Sequence, residues 1–239
     1  LFLTDRFRRD IAAESYYTLG SVSAESSKAI TEMLQSRVDY LNSVWLLMND
    51  GPEDLWREKI RHQQNRRDLY NFEWIGYVDT SGKGWNSIGL DVDLSDESLF
   101  FENISKSVSI IEMPVESPDG CWWEGIVLGI PVFEEDDAPV GFLYQVFNSK
   151  SIASLLDTGA FDGQARFCLM DQDGNIVAAS ENCMFSMGEN IFVRLQEDVA
   201  DNQEYADQLA DALHNSQEVG GFYRILGEGR FSYCLPISL

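Results

Sequence analysis

Between Trp74 and Tyr144 the chain gathers Trp74, Tyr77, Trp85, Phe100, Phe101, Trp122, Trp123 and Tyr144, with the acids Asp79 and Asp91 beside them. None of these aromatics is a nucleophile. Their chemistry is recognition, because an apolar cavity with a few polar anchors is how small-molecule sites are built. Alternating aromatics in strands also serve as ordinary core, but eight exceed what packing one module requires. The candidate ligand-binding set is therefore Trp74, Tyr77, Asp91, Phe100, Phe101, Trp122, Trp123 and Tyr144.

Other chemistries find less support. The two histidines, His62 and His214, sit among polar residues in helical stretches and read as surface groups. The sequence has no Gly-x-Ser-x-Gly elbow, no Walker-type phosphate loop, no Gly-x-Gly-x-x-Gly fingerprint and no His-Glu-x-x-His helix. Asp91, Asp93, Ser95 and Glu102 match positions 1, 3, 5 and 12 of a calcium loop, but Asp96 replaces the glycine at position 6. Residues 95–105 read better as a helix capped by Ser95 with acids in its first turn. Neither a metal nor a cofactor is expected. Cys121, Cys168, Cys183 and Cys234 form no Cys-x-x-Cys metal pattern. Buried free thiols are favoured, with one disulfide inside the C-terminal module as the alternative, and Cys183 and Cys234 both stay open as the partner of Cys168.

The elements that must position these residues follow from periodicity. From about Asp5 to Met48 no proline occurs, and Ile30, Met33, Leu34, Val38, Leu41, Trp45 and Met48 recur at helical spacing. Such a helix would span about 60 Å at 1.5 Å per residue, more than one small domain needs, and reads as a spine. Asn49-Asp50-Gly51-Pro52 ends it and restarts a helix over 52–70, with Asp50 or Gly51 as cap and Leu55, Trp56, Ile60 and Leu69 turned inward.

One pattern is then written twice. WIGYVD at 74–79 runs into Thr-Ser-Gly, and RFCLMD at 166–171 runs into Gln-Asp-Gly. Each is a strand closed by an Asp-x-x-Gly turn and followed by a second strand. Strands are expected at 73–79, 84–90, 108–113, 121–133 and 140–147, then at 165–171, 174–180, 220–226 and 229–237. Helices are expected at 95–106, from Ser149 or Ser151 to Leu156, and at 195–217. The hairpins are too short for parallel crossovers, so each module is an antiparallel α+β unit. The expected domains are a spine helix over 1–50, a first module over 51–150 and a second over 151–239.

The 17 basic and 40 acidic residues give a net charge of −23. That charge disfavours nucleic acid and anionic membrane surfaces as partners, and most simply makes a solvated surface. No run approaches the roughly 20 apolar residues of a membrane span. The absence of an initial Met and the end at Ser238-Leu239, just after a strand, suggest a piece of a longer protein.

The order and spacing of WIGYVDTSGKG (74–84), LDVDLSDESLFFENI (90–104), GIVLGIPVFEEDDAPVGFLYQVFNSKSIASLL (125–156) and FCLMDQDGNIVAAS (167–180), behind a long helix, resemble the double Cache sensor domains of bacterial receptors. The resemblance implies two tandem PAS-like antiparallel-sheet modules, the first membrane-distal and ligand-binding, the second membrane-proximal. It further implies a cell-membrane protein with this region on the extracellular or periplasmic side, tethered by transmembrane helices at both ends. Residues 140–156 resemble Cache regions ahead of diguanylate cyclases first, histidine kinases next and chemoreceptors third. The amino-acid-binding subset of that family carries an Arg on the helix after the Asp-rich turn and an Asp on the last distal strand. Here those places read Asp96–Phe101 and Phe142–Phe147 without either residue, so amino-acid binding is not carried over.

The expectation is a non-enzymatic sensor domain for a small-molecule ligand, able to form a homodimer through the N-terminal helix. A secreted acidic hydrolase and a structural dimerisation module without ligand are the alternatives.

Overall fold

The computed structural model describes residues 2–96, 109–116, 122–133, 138–148, 152, 165–181, 183–196, 199–225 and 227–237. At 2–13, 53, 109–116, 122–124 and 199–201 it describes the backbone. The chain divides into two compact units, Met33–Ser151 and Leu1–Glu32 with Ile152–Ser238. Helix α1, Phe2–Asn49, contributes to both. No described helix is long and apolar enough to cross a membrane.

In the Met33–Ser151 unit, α1 buries Leu34, Val38, Leu41, Trp45 and Met48, the i, i+4, i+7 stripe that the sequence predicts, while Gln35, Asp39 and Asn42 stay exposed. The next helix departs from expectation. It opens as a 3-10 turn at Glu53–Leu55, runs as α2 (Trp56–Gln63), tightens again at Gln64–Arg66 and ends as α3 (Arg67–Tyr70), stopped by Asn71 at φ 48°. Neither Asp50 nor Gly51 caps it; the first turn closes through Leu55 N–H donating to the Pro52 carbonyl at 3.0 Å. The tighter 3-10 turns advance each residue by more than an α-helix does, and this rotates the expected stripe. Trp56 and Ile60 are buried, but Leu55 and Leu69 face solvent.

Six strands follow: β1 (Trp74–Asp79), β2 (Lys83–Asn86), β3 (Asp91–Asp93), β4 (Ser109–Glu116), β5 (Trp122–Phe133) and β6 (Pro139–Asn148). They form one antiparallel sheet in the order β3-β2-β1-β6-β5-β4. Gly125–Ile130 of β5 and Gly141–Phe147 of β6 are buried at every position, as expected of strands covered on both faces. One face meets the helices. Tyr77 stacks edge-on against Trp56 at 5.5 Å, Trp56 against Trp45 at 5.3 Å, and the Arg37 guanidinium lies 4.3 Å above the Phe147 ring. Trp45 Nε1 also donates to the Phe133 carbonyl at 3.1 Å.

The other unit holds the hairpin β7 (Cys168–Met170) and β8 (Ile176–Ala179), then helices α4 (Ile191–Leu195) and α5 (Val199–Asn215), then the hairpin β9 (Val219–Ile225) and β10 (Glu228–Cys234). The two hairpins are separate two-stranded sheets; β7, β8 and β10 are shorter than the predicted runs, and β9 matches its predicted length. Tyr205, Leu209, Tyr223 and Ile225 pack with Ile176, Phe185, Ile191 and Leu195 as its core. The helix expected over 195–217 is α5, Val199–Asn215, and the short α4 before it is an addition, capped by Asn190, whose side chain accepts from Phe192 N–H at 3.0 Å.

The repeated sequence pattern is a repeated structure. Asp79 Oδ1 accepts from Ser81 N–H and Lys83 N–H at 2.8 and 3.1 Å, and Asp171 Oδ1 accepts from Asp173 N–H and Asn175 N–H at 2.9 and 2.8 Å. Gly82 at φ 86° and Gly174 at φ 82° supply the left-handed residue that each turn requires. Burial alone would raise the Asp79 carboxyl, but the Ser81 hydroxyl and the two N–H groups outweigh it and hold it below the usual carboxylate value.

Candidate functional site

Residues directly opposite each other in an antiparallel pair share a face. β1 pairs with β6 as Trp74 with Val146, Gly76 with Tyr144 and Val78 with Phe142. Those side chains, with Val127 of β5, form one buried cluster, against which Ile88, Val92 and Leu94 pack. Tyr144 is 4% exposed, and its ring lies directly over Gly76: a methyl group added at Gly76 would stand 2.1 Å from it. Burial pushes the Tyr144 hydroxyl well above its ordinary pKa, so it stays protonated and able to donate.

Of the predicted site residues, the sheet brings Trp74 and Tyr144 together. Tyr77 lies on the opposite face, in the aromatic stack with Trp56, and its hydroxyl donates to the Val140 carbonyl at 3.2 Å. Asp91 is exposed on β3 and ion-pairs with Arg57 at 2.7 Å. Trp122 and Trp123 open β5, in register with Glu116 and Val115. Phe100 and Phe101 lie outside the described residues, as do Glu102 and most of the predicted 95–106 helix. Asp93 Oδ1 is engaged by Ser95, accepting from its N–H at 3.1 Å and its hydroxyl at 2.6 Å. Among the described residues no cluster of three or more His, Cys, Asp or Glu could hold a metal ion. His62 and His214 are exposed. Gly76, Val78 and Phe142 escaped the sequence reading. Their signal was period-two parity with Trp74 and Tyr144, usable only once β1 was known to pair with β6.

The Cys168 and Cys183 thiols of the second unit lie close enough to act on each other, and Cys234 close enough to act on Cys168. All three are free cysteines. The neighbouring Cys168 thiol draws the Cys183 thiol down to about 7 against the effect of burial, with the N–H groups of Phe185 and Met184 and the charge of Arg166 assisting. The same interaction and burial push Cys168 far up. Because a depressed pKa keeps the thiolate populated at lower pH, iodoacetamide should modify Cys183 with a rate midpoint near pH 7, against about 8.5 for an ordinary cysteine. Peptide mapping of the reduced protein across pH checks this, and Cys168→Ala should return the midpoint toward the ordinary value.

No protein-family model and no curated protein matches the sequence. Solved structures match the fold. The extracellular domain of the proposed histidine kinase rpHK1S-Z16 superposes with a TM-score of 0.65 at 16% identity, over 93% of this chain and 88% of that one. The periplasmic sensory domain of the Campylobacter jejuni chemoreceptor Tlp1 gives 0.59 at 13% identity, over 89% and 86%. The ligand-binding domain of the Pseudomonas aeruginosa PAO1 amino acid chemoreceptor PctB, in complex with L-Gln, gives 0.61 at 11%, over 89% and 81%. With its long N-terminal helix, its six-stranded antiparallel sheet and its second α+β unit, the chain has the fold of extracellular and periplasmic sensory domains of chemoreceptors and histidine kinases, the Cache-type arrangement that its motif order resembles.

Proposed function

We propose that this chain is the extracytoplasmic sensor domain of a transmembrane receptor, and that a small molecule binds in the Met33–Ser151 unit on the face of the sheet that carries Trp74 and Tyr144. The observation that supports this most is a fold shared along nearly the whole length with sensory domains of two receptor classes. Phe100, Phe101 and Trp123 are included in the site on their sequence pattern, Trp123 sharing the strand parity of Val127, whereas the adjacent Trp122 has the opposite parity. Asp91 stands opposite Trp85 and, through it, Tyr77, so that Asp91, tied to Arg57, and Tyr77 both support the sheet from the far side.

The positions of β1, β2, β3 and β6 that share this face by their pairing include no Lys or Arg. A ligand anchored through a carboxylate would therefore lack a counter-charge there, whereas an apolar or cationic body suits aromatic faces. The output domain is a histidine kinase or a diguanylate cyclase, reached through helices that tether the domain to the membrane. A second copy docks along α1, where Leu46 and Leu47 are exposed. Binding signals only if the ligand prefers one of two arrangements of the domain.

A thermal-shift panel of amines, neutral aromatics and carboxylic acids tests the proposal. Hits among the first two classes, weakened by Tyr144→Phe or Trp74→Phe, are the expected outcome. A panel without hits, or hits that both variants leave unchanged, would refute it.

A further inference from the structure

The Leu1–Glu32 with Ile152–Ser238 unit contains a cavity of about 220 Å³ that the proposed function does not use. It opens where the two hairpins fail to join. The β7 end (Phe167–Gln172) and the β10 end (Tyr233–Ile237) both border it, and these strands belong to separate sheets. Its remaining walls come from α1 and the C-terminal end of α5.

Ser26 of α1 lines this cavity, is 8% exposed and has no hydrogen-bond partner for its hydroxyl among the described residues. An unpaired buried hydroxyl costs roughly 1–3 kcal/mol, so a group that binds it restores a lost bond. The neighbouring Ser27 differs, since its hydroxyl already donates to the Pro236 carbonyl at 3.4 Å. The walls otherwise mix apolar groups, Ile30 from the next turn of α1, Leu213 and Val219, with the polar residues Gln172, Ser216 and Gln217. Among the described residues, Asp171 is the only charged one lining the cavity. Its Oδ1 accepts from Asp173 N–H and Asn175 N–H, and its Oδ2 accepts from Asn175 Nδ2 at 2.8 Å, so the carboxylate is committed to its turn. A ligand with a net charge would find no free counter-ion there. Scaled from the 150 Å³ cavity that holds benzene, the volume accommodates roughly nine non-hydrogen atoms.

We infer that this cavity is a second binding site, for a small uncharged molecule carrying one hydroxyl or carbonyl group on a hydrocarbon body, with the Ser26 hydroxyl as its polar anchor. The site is independent of the Trp74–Tyr144 face, because it lies wholly within the other unit. Occupancy bridges β7, β10 and α1, and ties the two hairpins to one helix.

The test uses 4-fluorobenzyl alcohol as probe, followed by ¹⁹F NMR on the full chain, with 4-fluorobenzoate and 4-fluorobenzylamine as charged controls. Saturable binding of the alcohol is expected, with both charged analogues at least about tenfold weaker. Ser26→Ala should weaken the alcohol by about 2- to 12-fold, the range of one net hydrogen bond. The same variant should raise the melting temperature of the unliganded protein, since it removes an unpaired buried group; a merely structural serine would move it the other way. Leu213→Phe, which fills the cavity from α5, should abolish binding while Tyr144→Phe leaves it intact. Absence of saturable binding, equal binding of all three probes, or binding untouched by Ser26→Ala would overturn the inference.

Discussion

Replacing Tyr144 with alanine should destabilise the Met33–Ser151 unit by about 3–5 kcal/mol, the usual cost of deleting a buried aromatic ring. The side chain stands on β6 within the buried cluster of Trp74, Val78, Val127, Phe142 and Val146, and β6 lies between β1 and β5. Surroundings held by two neighbouring strands can collapse little into the space left behind. The partner residue makes the prediction sharper. Gly76→Ala would bring a methyl to within 2.1 Å of the Tyr144 ring, an overpacking that costs about 1–3 kcal/mol. Once the ring is gone the methyl has room, so the Gly76→Ala/Tyr144→Ala double variant should lose less than the sum of the single losses. Chemical denaturation, with β1 and β6 followed by hydrogen exchange, measures the cycle. Additive losses would mean that the ring does not lie over Gly76. Tyr144→Phe keeps the ring and is the variant suited to ligand work.

Asn202→Leu should cost the other unit about 3 kcal/mol or more. Asn202 is 1% exposed on α5, where a leucine would conventionally sit. Its Nδ2 donates to the carbonyls of Leu195 and Arg224 at 3.1 and 2.7 Å, and its Oδ1 accepts from Arg224 N–H at 2.7 Å. One amide thus satisfies the end of α4 and a rung of β9 together. Leucine would strand three backbone groups, each costing roughly 1–3 kcal/mol where water cannot reach it. Asn202→Asp should be at least as harmful, because a carboxylate would face two carbonyl oxygens and lose both donated bonds. Thermal unfolding of the two variants, with Gln203→Leu as an exposed control, decides the matter. A loss under 1 kcal/mol would contradict the described network.

What could be read from the sequence was mostly local. The α1 stripe, the Asp79 and Asp171 turns and the hairpins they close depend on residues a few positions apart, and the structure contains them. The second helix misled because periodicity assumes a constant 3.6 residues per turn, and the 3-10 segments around α2 break that phase, leaving Leu55 and Leu69 exposed. The aromatic set was legible as a composition but not as a site. Trp74 and Tyr77 are three residues apart on one strand and must face opposite ways, a parity that the grouping passed over. Trp74 and Tyr144 meet only through the β1–β6 pairing, a contact no local pattern encodes. Asn202 and Ser26 were invisible for a related reason: a polar residue in a helix reads as surface until tertiary packing buries it.

We propose the Trp74–Tyr144 face as the place of ligand recognition. Hydrogen exchange with mass spectrometry, with and without the strongest hit from the thermal-shift panel, tests it most directly. Added protection is expected to concentrate in residues 74–79 and 139–148, and to diminish in Tyr144→Phe. Protection confined to residues 167–180 and 219–237, with β1 and β6 unchanged, would contradict it.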